Sequence, residues 1–375
     1  MQRLTACINT ILSTQKGSDL GNIWCHWTRG CREGRGVMVL PEGMVAMKRI
    51  SLIKKGAAIA ATALTALALT ACGNTSTQDA GSTGSPDATY KIGVLQLTEH
   101  TALDAANKGF VKALDDSGIS YTIDQQNAQN DQSACQTIAS KLVGDGDDLI
   151  FAIATPAAQA AANATKDIPI VGTAITDFAA SDLVADNDAP GGNVTGSSDL
   201  TPVAEQIEML HKVLPDAKTV GLLYASNESN SLIQIEMAEE ALDKLGIAHE
   251  RYTVSSTNEI QSVVESAVGK VDALYSPTDN TIAQGAAQVG QICKENKLPF
   301  IAGEEGMCMA GGLFTLSINY EDLGYRAGEM AVKILKGEAK PADMAIEHLS
   351  AEDLVVVKNQ EMADALGIDL SVLDE

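Results

Sequence analysis

Two hydrophobic rhythms alternate along the chain from about residue 90. Short, continuous apolar runs bounded by polar residues predict buried strands at 91–96 (KIGVLQ), 148–153 (DLIFAI) and 169–173 (PIVGT). Between them the apolar positions take helical spacing. Ala106, Phe110, Val111 and Leu114 predict a helix over 103–117 that Gly118 closes, and Ile138, Leu142 and Val143 predict another ending at Gly144. A further strand falls at 121–126. The rhythm restarts near Thr219, with strands at 220–224, 250–254, 273–275 and 299–302 and helices at 233–245, 259–268 and 281–294. A strand and a long helix (320–336) remain after the second sheet is complete. Strand–helix alternation over roughly a hundred residues, twice, predicts an α/β protein of two doubly wound, Rossmann-like lobes.

The pattern upstream is of another kind. Lys48, Arg49, Lys54 and Lys55 precede an apolar stretch over 56–69, too short to span a bilayer, and small residues lead to a single cysteine at Leu69-Thr70-Ala71-Cys72. This arrangement predicts a secretory signal over 47–72. Its last four residues resemble a bacterial lipobox, which implies diacylation of Cys72 and an anchored, extracytoplasmic product. An ordinary signal with a chance cysteine, or a buried Ala-rich helix, is the plainer alternative. Residues 73–88 (GNTSTQDAGSTGSPDA) read as a flexible linker. On this reading Met47 is the natural start, and residues 1–46 are not part of the native product. They hold both tryptophans and Cys7, Cys25, Cys31 and His26, without the paired four-ligand spacing of a structural zinc site.

Charge and cysteines narrow the function class. Residues 73–375 carry 17 Lys+Arg against 46 Asp+Glu, a net charge of −29. No basic stripe is left to neutralise phosphates, which excludes a nucleic-acid partner. The same balance disfavours peripheral binding to anionic lipid, so the anchor must hold the protein at the membrane. Cys135, Cys293 and Cys308 are an odd trio and no disulfide framework, though a Cys293–Cys308 pair stays open.

The candidate chemistry lies at strand ends that run into helices, where open α/β sheets bind ligands. After the strand at 148–153, Thr155 is placed as an N-cap and Pro156 as the first helical residue. The free amides of Ala157 and Ala158, with the helix dipole behind them, then suit a carboxylate; a plain structural cap is the alternative. In the second half Asp279, beside Asn280, holds the matching place. Its carboxylate, with Asp177, suits an ammonium group, and again a helix cap is the alternative. Asn227, Glu228, Asn230 and Ser231 follow the strand at 220–224 and add polar groups to the rim. Glu304 follows another strand end, near a hinge. Two such edges face to face would grip a zwitterion at both ends.

In these stretches the chain resembles the tryptophan/tyrosine-type substrate-binding lipoproteins of ABC importers. The resemblance is carried by Ile92-Gly93-Val94-Leu95-Gln96 through Glu99-His100, by 127–132 (NAQNDQ), 154–159 (ATPAAQ), 190–196 (PGGNVTG), Pro277-Thr278-Asp279-Asn280, and Leu323-Gly324 through Leu335-Lys336-Gly337. They run in order over essentially all of 90–345. Phe178 stands where the family usually has Pro, and 224–231 replaces a Pro-Gly-containing turn.

The resemblance implies the type I periplasmic-binding fold. It implies three crossings between the lobes, with 89–198 plus 318–342 in the first lobe and 199–317 plus 343–375 in the second. It implies capture of a small zwitterion, an amino acid and possibly an aromatic one, for delivery to a permease and its ATPase. His100, Asp177, Asn227, Asn230 and Ser231 would then shape specificity. A surface sensor serving a receptor, or a binder of another small polar ligand such as a sugar or nucleoside, remains an alternative. The sequence offers no nucleophile elbow, metal-ligand cluster or phosphate-cradling glycine loop, so no enzyme, cofactor or metal is expected.

Overall fold

The computed structural model describes residues 89–348 and 350–374. The predicted signal over 47–72, its Cys72, the linker over 73–88 and residues 1–46 lie outside the described residues. The first half runs β1 (Thr89–Gln96), α1 (Thr101–Ser117), β2 (Ser120–Asn127), α2 (Gln132–Asp145), β3 (Leu149–Ile153), α3 (Thr155–Ala164), β4 (Ile170–Ile175) and β5 (Val194–Ser198). It continues with α4 (Val203–Val213), β6 (Thr219–Ala225), α5 (Ser229–Leu245), β7 (Ala248–Val254), α6 (Ile260–Ala267), β8 (Ala273–Ser276), α7 (Asn280–Gln284), α8 (Ala286–Glu295), β9 (Phe300–Ala302), α9 (Glu305–Gly311) and β10 (Phe314–Ser317). The last elements are α10 (Tyr320–Leu335), β11 (Glu347–His348), β12 (Val355–Lys358) and α11 (Gln360–Leu366).

Strands β2-β1-β3-β4-β5-β11 form one parallel sheet and β7-β6-β8-β9 a second; β10 and β12 pair antiparallel. Every residue of β3 and β4 is buried, as expected of strands covered by helices on both faces, and their continuous apolar runs follow from that. The edge strands β2 and β7 carry the charged and polar residues instead. Phe110 of α1 stacks on Phe151 of β3 at 3.6 Å between ring centroids, tying a helix to the middle of the first sheet. Helices α1 and α10 lie almost backbone to backbone. A Cβ at Gly324 would stand 1.8 Å from the Ala106 carbonyl oxygen, and one at Gly109 1.9 Å from that of Glu321, so only glycine permits the contact.

Two predictions are corrected. The helix expected over 281–294 is two, α7 and α8, broken at Gly285, where a Cβ would meet Ile260 Cδ1 at 2.3 Å. The first lobe does not end at 342, because β11 pairs with β5 (Glu347 opposite Ser197) and Ile346 belongs to the first core. The sequence reading also missed α4 and α9. Cys135, Cys293 and Cys308 are all buried free thiols, which closes the question of a Cys293–Cys308 bridge. No helix among the described residues is long and apolar enough to cross a membrane.

Candidate functional site

The lobes meet across the carboxyl ends of their strands. Between them lies a cavity of ≈ 10 Å³, room for about one water molecule. Ligand pockets run to roughly 300–1,000 Å³, so the lobes stand shut and must part to admit a ligand. Among the described residues, five side-chain hydrogen bonds cross the seam. His100 Nε2 and Asn280 Oδ1 are 3.2 Å apart, and Asn130 Nδ2 donates to Thr281 Oγ1 at 2.9 Å. Gln132 Nε2 donates to the Asn227 carbonyl (2.7 Å), Gln284 Nε2 to Thr98 Oγ1 (3.1 Å) and Gln234 Nε2 to Thr176 Oγ1 (2.9 Å).

Of the residues expected at the site, His100, Asn230, Asp279, Asn280 and Glu304 line this cavity. Thr155, Pro156, Ala157 and Ala158 are buried at the start of α3 but do not line it. Thr155 is not the N-cap: Ala154 is, with φ +82°, because the strand turns so sharply into the helix. Ala158 N–H is taken by the Ala154 carbonyl (3.1 Å), while Thr155 Oγ1 is buried without a partner among the described residues. Asp177 caps a local turn instead, accepting from Ala180 N and Asn187 Nδ2 (both 3.0 Å). Asn227 is exposed and meets the first lobe only through its carbonyl. Phe178, one of the family departures, is fully buried in the first core and does not touch the cavity.

The second lobe's carboxylates are committed to their own lobe. Asp279 accepts from Ala225 N (2.6 Å), Ser231 Oγ (2.7 Å) and Ile282 N (2.8 Å), so it caps α7 and pins the β6 end. Burial, and then the negative charge of Glu228, push its pKa up to about 7. Glu228 accepts from the backbone and side chains of Asn280 and Thr281, at 2.6–3.1 Å. Glu304 caps α9 through Gly306 N and Met307 N (both 2.5 Å), and burial raises it to about 7. His100 is lowered by burial, against the pull of its bond to Asn280.

Sequence reasoning missed Ala174, Thr176, Asp199, Thr278 and Tyr320, all on the cavity wall. Ala174 holds a left-handed backbone (φ +54°) where the β4–β5 register shifts, and such irregularities re-aim the residues that follow, here Thr176. Asp199 lies at the first crossing between lobes, 5 % exposed, with Oδ2 accepting from Tyr320 Oη at 3.0 Å. Its Oδ1 has no partner of hydrogen-bond geometry among the described residues, although the neighbouring Thr176 hydroxyl draws the carboxyl's pKa down against burial. Burial raises the Asp199 carboxyl to about 6, and burial together with this carboxylate raises the Tyr320 hydroxyl. In the sequence Asp199 is one acidic residue after a stretch, 194–198, in which no strand is predicted.

Three comparisons agree with this architecture. The chain matches the family model for the ABC transporter substrate binding protein over residues 91–372. A "tyrosine-binding protein" of Clostridioides difficile is 43 % identical over 279 residues, 73 % of this chain and 80 % of that protein. The crystal structure of an ABC domain in complex with L-Trp from Streptococcus pneumonia superposes with TM-score 0.74 at 42 % identity, covering 77 % of this chain and 98 % of the other. The ligand-free, open structure of a Clostridium difficile substrate-binding protein with adhesive properties is 46 % identical yet reaches only TM-score 0.58, over 75 % and 95 %. The better fit to the complex, despite its lower identity, agrees with the shut cleft described above. The chain belongs to the ABC transporter substrate-binding protein family and has the type I periplasmic-binding fold.

Proposed function

We propose that this protein captures a free amino acid, tyrosine or tryptophan first among candidates, and hands it to a membrane permease from a lipid anchor at Cys72. The observation that carries the reading is the buried polar cavity between two lobes, in a chain 43 % identical to a protein named for tyrosine binding. The ligand carboxylate is assigned to the α3 N-terminus, which lies outside the shut cavity's lining but where Thr155 Oγ1 is buried without a partner among the described residues and the helix dipole favours an anion. His100, Asn230 and Asn280 bear on the ligand from the seam. Closure is then a hinge motion about the crossing segments, with the seam bonds formed only in the shut form.

The test is isothermal titration of the full chain with tyrosine, tryptophan, phenylalanine and leucine, beside thermal melts. A ligand of the native state raises stability by roughly 2.7 kcal/mol at a hundredfold excess over Kd. No heat and no melting shift with any of the four overturns the amino-acid reading. Cys72→Ser should move the protein from the membrane fraction to the soluble one; unchanged partitioning removes the anchor.

A further inference from the structure

Every buried carboxylate on the cavity wall has its oxygens occupied except one. Asp279 and Glu304 each satisfy both oxygens with donors of the second lobe. Asp199 does not. Its Oδ2 is fixed by Tyr320 Oη, while Oδ1 has no partner of hydrogen-bond geometry among the described residues, in a cavity with room for about one water molecule beside Thr176. A buried, half-satisfied carboxylate is costly unless a donor arrives to complete it. The charge environment also selects the donor's sign. Glu304 of the second lobe lines the same cavity, and the Asp199 carboxylate, at the first crossing and tied by its N–H to the end of β4, acts on it as a like charge. No Lys or Arg stands on the wall, and the one basic side chain there, His100, bonds to Asn280.

We infer that Asp199 Oδ1 receives the ligand's primary ammonium group, with Tyr320 as the positioning residue that holds the carboxylate toward the cavity. Asp199 follows β5 directly and its N–H donates to the Ile175 carbonyl at 3.1 Å, so it is fixed to the end of β4. Tyr320 opens α10 just past the second crossing. The ammonium site is therefore built on two of the three segments about which the lobes turn. A cation placed there neutralises one of two like-charged carboxylates on the same cavity wall, Asp199 tied to the end of β4 and Glu304 capping α9, so the ligand's own charge favours the shut form. This assignment rests on the amino-acid reading, and it gives the ammonium to Asp199 instead of Asp279.

The experiment is titration of the full chain and of Asp199→Asn with tyrosine and with its desamino analogue, 3-(4-hydroxyphenyl)propionate. The wild type should prefer tyrosine. Asp199→Asn should bind tyrosine about ten- to a hundredfold more weakly, as expected for loss of a buried charge-assisted bond. Its affinity for the desamino analogue should stay within about threefold of the wild type, and its melting temperature should not fall. Tyr320→Phe should weaken tyrosine several-fold and leave the analogue unaffected. An Asp199→Asn protein that keeps the wild-type preference for tyrosine overturns the inference, as does equal loss of both ligands. A wild type that binds neither tyrosine nor any other amino acid overturns the amino-acid reading itself, a result the mutant comparison cannot mimic.

Discussion

Replacing Asp279 separates a structural carboxylate from a ligand-binding one. Asp279→Ala leaves the Ala225 and Ile282 amides and the Ser231 hydroxyl without an acceptor, all three buried. At about 2 kcal/mol for each orphaned donor, the gross loss is about 6 kcal/mol. Against this stands relief from burying a carboxylate beside Glu228, and that relief depends on pH. The folded pKa, about 7, lies above the unfolded value near 4. The wild type therefore has this group's full stability below pH 4 and loses it as pH rises through 7, while the alanine variant has nothing to lose there. At about 1.4 kcal/mol per unit the relief is about 1.4 kcal/mol at pH 5 and about 4 kcal/mol at pH 8. The variant should thus be destabilised by about 5 kcal/mol at pH 5 and only about 2 kcal/mol at pH 8. Urea unfolding of both proteins at the two pH values, followed by circular dichroism, measures the difference directly. A variant equally or more destabilised at pH 8 refutes the reasoning. Wild-type stability at both pH values with binding abolished would return Asp279 to the ligand.

Gly324→Ala should cost about 2–4 kcal/mol in urea unfolding, since its Cβ would stand 1.8 Å from the Ala106 carbonyl and α1 and α10 would have to part. Gly118→Ala, with φ +68° and open space around it, should cost only about 1 kcal/mol, and similar losses at both sites would count against the helix contact. Cys135, Cys293 and Cys308 are buried and burial raises each thiol, so none should react with a thiol reagent until the domain unfolds; rapid labelling of the native protein would contradict this. Asn130→Ala removes one seam bond that exists only between closed lobes. It should weaken ligand binding about three- to tenfold by titration while the melting temperature of the unliganded protein stays within a degree or two.

The fold was legible because buried parallel strands advertise themselves. LIFAI in β3 and IVGTAI in β4 are apolar on both faces, and the helices between them keep one apolar stripe. What escaped was short or decided by partners distant in sequence. The two-residue β11 has no pattern of its own and exists only because Ser197 and Ser198 lie beside it. The split at Gly285 comes from Ile260, twenty-five positions upstream and on another helix. Neither can be read from a local window.

The site shows the same division in chemical terms. Polar residues after strand ends were found because that position is generic to the fold, and five of those expected do line the cavity. Which of them has capacity left for a ligand is another matter, since it depends on how many donors the folded chain has already spent on each oxygen. Asp279 looks in sequence like a free carboxylate before a helix, yet three donors from β6, α5 and α7 converge on it. Asp199 looks like one acidic residue in an unremarkable polar run, yet folding buries it and supplies a partner for only one oxygen, Tyr320, more than a hundred positions away. The carboxylate we assign to the ligand is thus marked out by what the rest of the chain fails to give it, and that deficit comes into being only when the two crossing segments are brought together.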